Sequence, residues 1–127
     1  MSKLILIDDD PIYQKISQIM VKEYGHVDEV VTSNDGQATL DYLIENRENT
    51  EKLPDYIFLD LNMPKFNGWD FLNGYRKIYQ SLKKVIKVYI VSSSVNPDDI
   101  KRSQHYSFVS KFLNKPLNRD FLHEMLA

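Results

Sequence analysis

The sequence predicts an α/β domain built on a parallel five-stranded sheet. Three observations carry this. Five short apolar runs punctuate the chain: Leu4-Ile5-Leu6-Ile7, residues 27–31, Tyr56-Ile57-Phe58-Leu59, residues 85–91 and Phe112-Leu113. Three of the five are nearly continuous in apolar residues, as strands must be when helices cover both faces of their sheet. Each run is followed by a longer amphipathic stretch opened by a helix-start signal, and such alternation implies parallel strands joined by right-handed crossovers.

After the first run, Asp10 and Pro11 read as a cap with proline at the first helical position. Ile12, Ile16, Ile19 and Met20 recur at helical spacing and are read as the apolar stripe, with Gly25 after Tyr24 as the stop. After the second run, Asn34 with Gln37 resembles a capping box, and Leu40, Leu43 and Ile44 supply the next stripe. The charged stretch 45–52 is read as a surface loop, because the alternation resumes beyond it. Asn67-Gly68 opens a third helix carrying Trp69, Leu72, Tyr75 and Tyr79. Asn96-Pro97 opens a fourth, mostly polar, through Gln104, with Ile100 as its clear core residue. Pro116 precedes the last, whose stripe is Phe121, Leu122, Met125 and Leu126.

The 127 residues make one domain, 1–127, with 43% hydrophobic and 27% charged residues. The absence of cysteine excludes a disulfide scaffold, a thiolate zinc site and a cysteine nucleophile. A net charge of -2 gives no electrostatic footprint for nucleic acid. The apolar runs are strand-sized, so no membrane span is expected, nothing reads as a signal peptide, and the cytoplasm is the expected address. His26, His105 and His123 share no metal-ligand spacing, Trp69 and Tyr75 are read as structural, and Lys83, Lys84 and Lys87 as a solvated run.

Open α/β sheets bind ligands at the carboxyl ends of their strands. There the chain places Asp8-Asp9-Asp10, Thr32-Ser33, Asp60, Ser92-Ser93-Ser94 and Asn114-Lys115-Pro116. Two carboxylates about 4 Å apart repel by roughly 4 kcal/mol at an effective dielectric of 20. Convergence of Asp8, Asp9 and Asp60 therefore demands a shared proton, the Lys115 ammonium or a divalent cation. Hard oxygen donors without histidine or cysteine favour Mg²⁺ over zinc. Asp10 is most simply the helix cap. Singly, Ser92 reads as a loop hydroxyl and Lys115 as a solvated lysine; only their order with the acids on successive strand ends makes a site.

Ile5 to Asp10, Phe58-Leu59-Asp60-Leu61-Asn62-Met63-Pro64 with Gly68, Ile90-Val91-Ser92-Ser93 and Phe112-Leu113-Asn114-Lys115-Pro116 together resemble the receiver domain of two-component response regulators, over the whole chain. The resemblance implies a flavodoxin-like doubly wound sheet of order 2-1-3-4-5 with five helices. It implies a stand-alone receiver, as no sequence remains for an output domain. Asp60 would be the phosphoacceptor, taking a phosphoryl group from a phosphohistidine on a sensor histidine kinase or histidine phosphotransfer protein. Asp9, Asp60 and the main-chain carbonyl of Asn62 would hold Mg²⁺, with Asp8 acting through water. Lys115, Ser92 and the adjacent Ser93 would receive phosphate oxygens, and Lys115-Pro116 would be cis.

Ser92 and Phe112 would form the switch, altering the face of the fourth helix, fifth strand and fifth helix for a downstream protein. Lys101, Arg102, Phe112 and Arg119 are its expected residues. The only catalysis implied is of its own phosphorylation and dephosphorylation, and the chain would be a monomer or a weak phosphorylation-linked dimer. Ser92 stands where the family often has threonine, and Phe112 lacks the more usual tyrosine hydroxyl. Asn62 and Ser94 occupy positions that influence hydrolysis of the aspartyl phosphate. A haloacid-dehalogenase-type phosphatase would need a second Asp where Asn62 stands. An FMN binder would not place three acids after strand one. A receiver-like module that no longer takes phosphate finds no support in a chain that keeps all five rim residues.

Overall fold

The computed structural model describes residues 2–93 and 96–126, the last two by backbone alone. The elements run β1 (Lys3–Ile7), α1 (Pro11–Tyr24), β2 (Glu29–Ser33), α2 (Gly36–Glu45), β3 (Tyr56–Leu59), α3 (Gly68–Ile78), a 3₁₀ turn (Tyr79–Ser81), β4 (Lys87–Ser92), α4 (Pro97–Ser103), β5 (Val109–Asn114) and α5 (Arg119–Leu126). The five strands are all parallel, in the order β2-β1-β3-β4-β5. This is the doubly wound topology that the resemblance implies.

Alternating strand residues divide the core into two layers. Ile5, Ile7, Ile57, Leu59, Val88 and Ile90 face one way and pack with Leu40 and Leu43 of α2 and Phe71, Leu72 and Tyr75 of α3. Leu4, Leu6, Phe58, Tyr89 and Val91 face the other way and meet Val21 of α1 and Leu122 of α5. The side chains of Met125 and Leu126, expected in that α5 stripe, lie outside the described residues, as does Ser94. No described helix is long and apolar enough to cross a membrane.

The helix starts follow local chemistry. Asp10 caps α1 by accepting from the Ile12 and Tyr13 N–H groups at 3.0 and 3.2 Å. Asn67 and Asp70 form a reciprocal capping box on α3. Asn96 accepts from the Asp98 N–H at 2.9 Å and caps α4.

Several expectations are corrected. The cap of α2 is Asp35, which accepts from the Ala38 N–H at 3.0 Å. Gln37 instead reaches forward to Asp41 at 3.0 Å, so Asn34 and Gln37 form no box. The larger correction concerns α1. Ile12, Ile16 and Ile19 are 72%, 49% and 55% exposed, while Ser17 and Val21 are buried with Tyr13, Met20 and Tyr24 packed beside them. Both stripes have the same helical period, and aromatic bulk plus Val21 decided which one met the sheet. Ile44 of α2 is likewise exposed, as is Val85, which precedes β4. In α4, Ser103 is buried and Ile100 only half-buried. Lys84 is no solvated lysine: it pairs with Asp55 at 3.2 Å and donates to the Leu53 carbonyl at 3.1 Å.

Candidate functional site

Backbone pairing continues past the strands and fixes the rim. The Asp8 N–H donates to the Ser33 carbonyl and the Asp60 N–H to the Ile7 carbonyl, each at 2.9 Å; the Lys115 N–H donates to the Ser92 carbonyl at 2.8 Å. Because Ile7 and Leu59 are register partners, the residues that follow them, Asp8 and Asp60, emerge side by side. Carboxylate oxygens of Asp8, Asp9 and Asp60 all lie within 4.8 Å of one another. Asp8 and Asp60 are 1% and 5% exposed, whereas Asp9 faces solvent.

Lys115 reaches this cluster from the end of β5, and the Lys115-Pro116 bond that follows it is cis. Its ammonium donates to Asp8 Oδ2 at 2.8 Å and stands 3.7 Å from Asp60 Oδ2. Asp8 Oδ1 accepts from the Asp10 N–H at 2.9 Å, and Asp60 Oδ1 from the Asn62 N–H at 3.3 Å. Burial pushes the Asp60 carboxyl up to about 6, with Asp8 and Asp9 adding to the rise against the pull of Lys115 and the Asn62 N–H. Burial alone would lower the Lys115 ammonium, but the Asp8 hydrogen bond and the charges of Asp60 and Asp8 hold it above its ordinary value.

Gly68 makes this packing possible. The start of α3 passes so close to the phosphoacceptor candidate that an added Cβ would stand 2.7 Å from the Asp60 carbonyl oxygen and 2.7 Å from Leu61 Cα. The Gly68 N–H donates to the Leu61 carbonyl at 3.1 Å. Ser92 ends β4 on the same rim and is buried, with Ser93 exposed beside it. Phe112 is half-buried, paired in register with Ile90 and packed on that side's core.

The donor set suits a small hard cation. Three carboxylates against one ammonium leave surplus negative charge, and the acidic ligands are all oxygen. The exposed Asp9 gives water a way in.

Sequence reasoning missed two contributors in the first turns of α1. The Tyr13 ring lies with its centroid 4.1 Å from Lys115 Nζ. Gln14 Nε2 donates to the Asp8 carbonyl and, at 3.3 Å, to the Ser33 carbonyl, tying the ends of β1 and β2 together. A usable signal existed: helical side chains lean toward the N-terminus, so a first-turn residue on the inner face covers the rim before it.

His26 and His123, far apart in sequence, bring their rings to 5.3 Å. Arg102 lies over Trp69 at 4.2 Å and Arg119 over Tyr24 at 5.8 Å.

A family model described as the response regulator receiver domain matches residues 4–127. The chain belongs to that family. As a receiver it is similar to a two-component response regulator from Cytophaga hutchinsonii, with 27% identity, a TM-score of 0.86 and 98% of this chain and 92% of that one covered. It is also similar to the receiver domain of the histidine kinase CKI1 from Arabidopsis thaliana, solved complexed with Mg²⁺, with 27% identity, a TM-score of 0.79 and coverage of 98% and 91%. Among curated proteins, the probable methanogenesis regulatory protein FilR2 from Methanothrix harundinacea is 26% identical over 115 residues, 91% of this chain and 72% of that one. The receiver spans 50% of the transcriptional regulatory protein CitT and 11% of the whole kinase CKI1. Receiver domains are signalling modules.

Proposed function

We propose that this receiver accepts a phosphoryl group on Asp60 from a phosphohistidine of a sensor histidine kinase or phosphotransfer protein. The observation that carries the reading is Asp60 itself: a buried carboxylate at the end of a central strand, facing Asp8, Asp9 and Lys115. Burial raises this carboxyl to about 6, which keeps it basic and leaves the charged form accessible near neutral pH.

An Asp60 oxygen attacks phosphorus. The new P–O bond forms as the P–N bond breaks, and the imidazole nitrogen leaves with the electron pair. Asp9, Asp60 and the Asn62 carbonyl are the residues to hold Mg²⁺, with Asp8 contributing through water. The ion, when bound, neutralises charge on the transferring oxygens. Lys115 exchanges Asp8 for a phosphoryl oxygen, and the hydroxyls of Ser92 and Ser93 take others. New charge at Asp60 draws Ser92 inward and lets Phe112 turn, and the face of α4, β5 and α5 changes for a protein partner. A net charge of -2 disfavours DNA as the reader.

The donor must rest against the rim to deliver its phosphoryl group. There α1 exposes Ile12, Ile16 and Ile19 along one line, an apolar strip that suits a helical partner surface. Incubation with acetyl phosphate and Mg²⁺ should add one phosphoryl mass to the parent and none to Asp60→Asn. Equal phosphorylation of Asp60→Asn would overturn the assignment.

A further inference from the structure

Lys115 is held by more than its two carboxylates. An ammonium carries three donors on a flexible stem and has no preferred plane. Asp8 at 2.8 Å takes one donor, and Asp60 at 3.7 Å is too distant for a good hydrogen bond. The Asp8 contact fixes one donor and leaves the others to be oriented. The Tyr13 ring adds a second restraint, with its centroid 4.1 Å from Nζ, inside cation–π range.

The rest of Tyr13 indicates that the ring is what the position uses. Its buried hydroxyl has the Ser17 hydroxyl and the Leu117 backbone beside it. The group turned to Lys115 is the ring face. The ring is also uncharged. A third carboxylate at this place would hold the ammonium in competition with an arriving phosphoryl group, whereas a π face holds it without neutralising it.

We propose that Tyr13 is a positioning residue for phosphoryl transfer: its ring face keeps the Lys115 ammonium at the rim, ready to pass from Asp8 to an oxygen of the incoming group. This rests on Asp60 being the phosphoacceptor. The helix supplies the means, since α1 begins at the acidic rim and its first inward residue leans back over it.

The test uses acetyl phosphate with saturating Mg²⁺. An Asp60 oxygen attacks phosphorus, the P–O bond to the acetyl group breaks, and acetate leaves with the electron pair. Tyr13→Phe should be phosphorylated within about twofold of the parent rate. Tyr13→Leu, which keeps apolar volume without a π face, should slow about tenfold, equal to ~1.4 kcal/mol of transition-state stabilisation. Tyr13→Met serves the same end should the leucine variant fold poorly. Mg²⁺ affinity should not change.

The Lys115 ε-methylene proton resonances supply a second readout that general stability does not move. They should be ring-current shifted in the parent and Tyr13→Phe, and lose that shift in Tyr13→Leu. Parent-like phosphorylation of Tyr13→Leu, or a Tyr13→Phe as slow as Tyr13→Leu, overturns the role of the ring. A parent that gains no phosphoryl mass overturns the Asp60 reading, and this one with it.

Discussion

Lys115 and Asp8, 107 positions apart in sequence, meet at 2.8 Å, while Asp60 stands 3.7 Å from the same ammonium. The lysine is therefore committed at rest to Asp8, not to Asp60, the proposed phosphoacceptor. Burial raises the Asp60 carboxyl, and the pull of Lys115 offsets only part of that rise. The arrangement leaves Asp60 basic, with Lys115 beside it but paired to Asp8.

Metal-free protein should lose stability as pH rises through the Asp60 titration. The folded carboxyl sits at about 6 and its ordinary value is 3.8, so the folded state holds the proton more tightly. That stabilisation is complete below about pH 4 and is lost as pH passes 6, for about 2–3 kcal/mol. Urea unfolding of parent and Asp60→Asn in EDTA isolates it: the difference between them should widen from pH 4 to pH 7 in favour of Asp60→Asn. A constant difference would show that Asp60 is not raised.

Lys115→Met should destabilise by about 3 kcal/mol, because it leaves the buried Asp8 carboxylate without its cation. Adding Asp8→Asn to that variant should recover part of the loss. A double-mutant cycle by chemical denaturation measures the coupling, and strictly additive effects would show that the pair is not linked.

Gly68→Ala should destabilise by roughly 1–3 kcal/mol, since a Cβ there meets backbone and not a yielding side chain. The displaced backbone is that of Asp60 and Leu61, so Mg²⁺ affinity should fall as well. Calorimetric titration of the folded variant checks this; an unchanged affinity would mean that α3 moved and the rim did not.

Ile16→Glu should leave stability within about 0.5 kcal/mol, as the side chain already faces water. Transfer from a phosphorylated histidine phosphotransfer protein should slow by about tenfold, while labelling by acetyl phosphate stays at the parent rate. Parallel loss with both donors would move the docking strip elsewhere.

The rim was legible in the sequence because strand ends are legible. Once the alternation places Ile7, Leu59, Ser92 and Asn114 at strand ends, a parallel sheet must bring Asp8, Asp60, Ser92 and Lys115 to one edge. The caps at Asp10, Asn67 and Asn96 were legible for a similar reason: a cap is a bond between residues two or three apart. The α2 cap misread by one residue shows the limit, since Asn34 and Asp35 are both good caps and only the backbone path after Ser33 chooses Asp35.

By itself, then, the sequence determined the order of elements, the parallel sheet and the residues at its carboxyl edge, all consequences of local periodicity and short-range hydrogen bonds. Only the tertiary structure decided which face of α1 lies inward, and with it the exposed isoleucine strip and the Tyr13 ring against Lys115. It also brought His26 beside His123 and Arg102 over Trp69. These depend on the rotation of each helix about its own axis. Periodicity leaves that angle open, and packing against residues distant in sequence sets it.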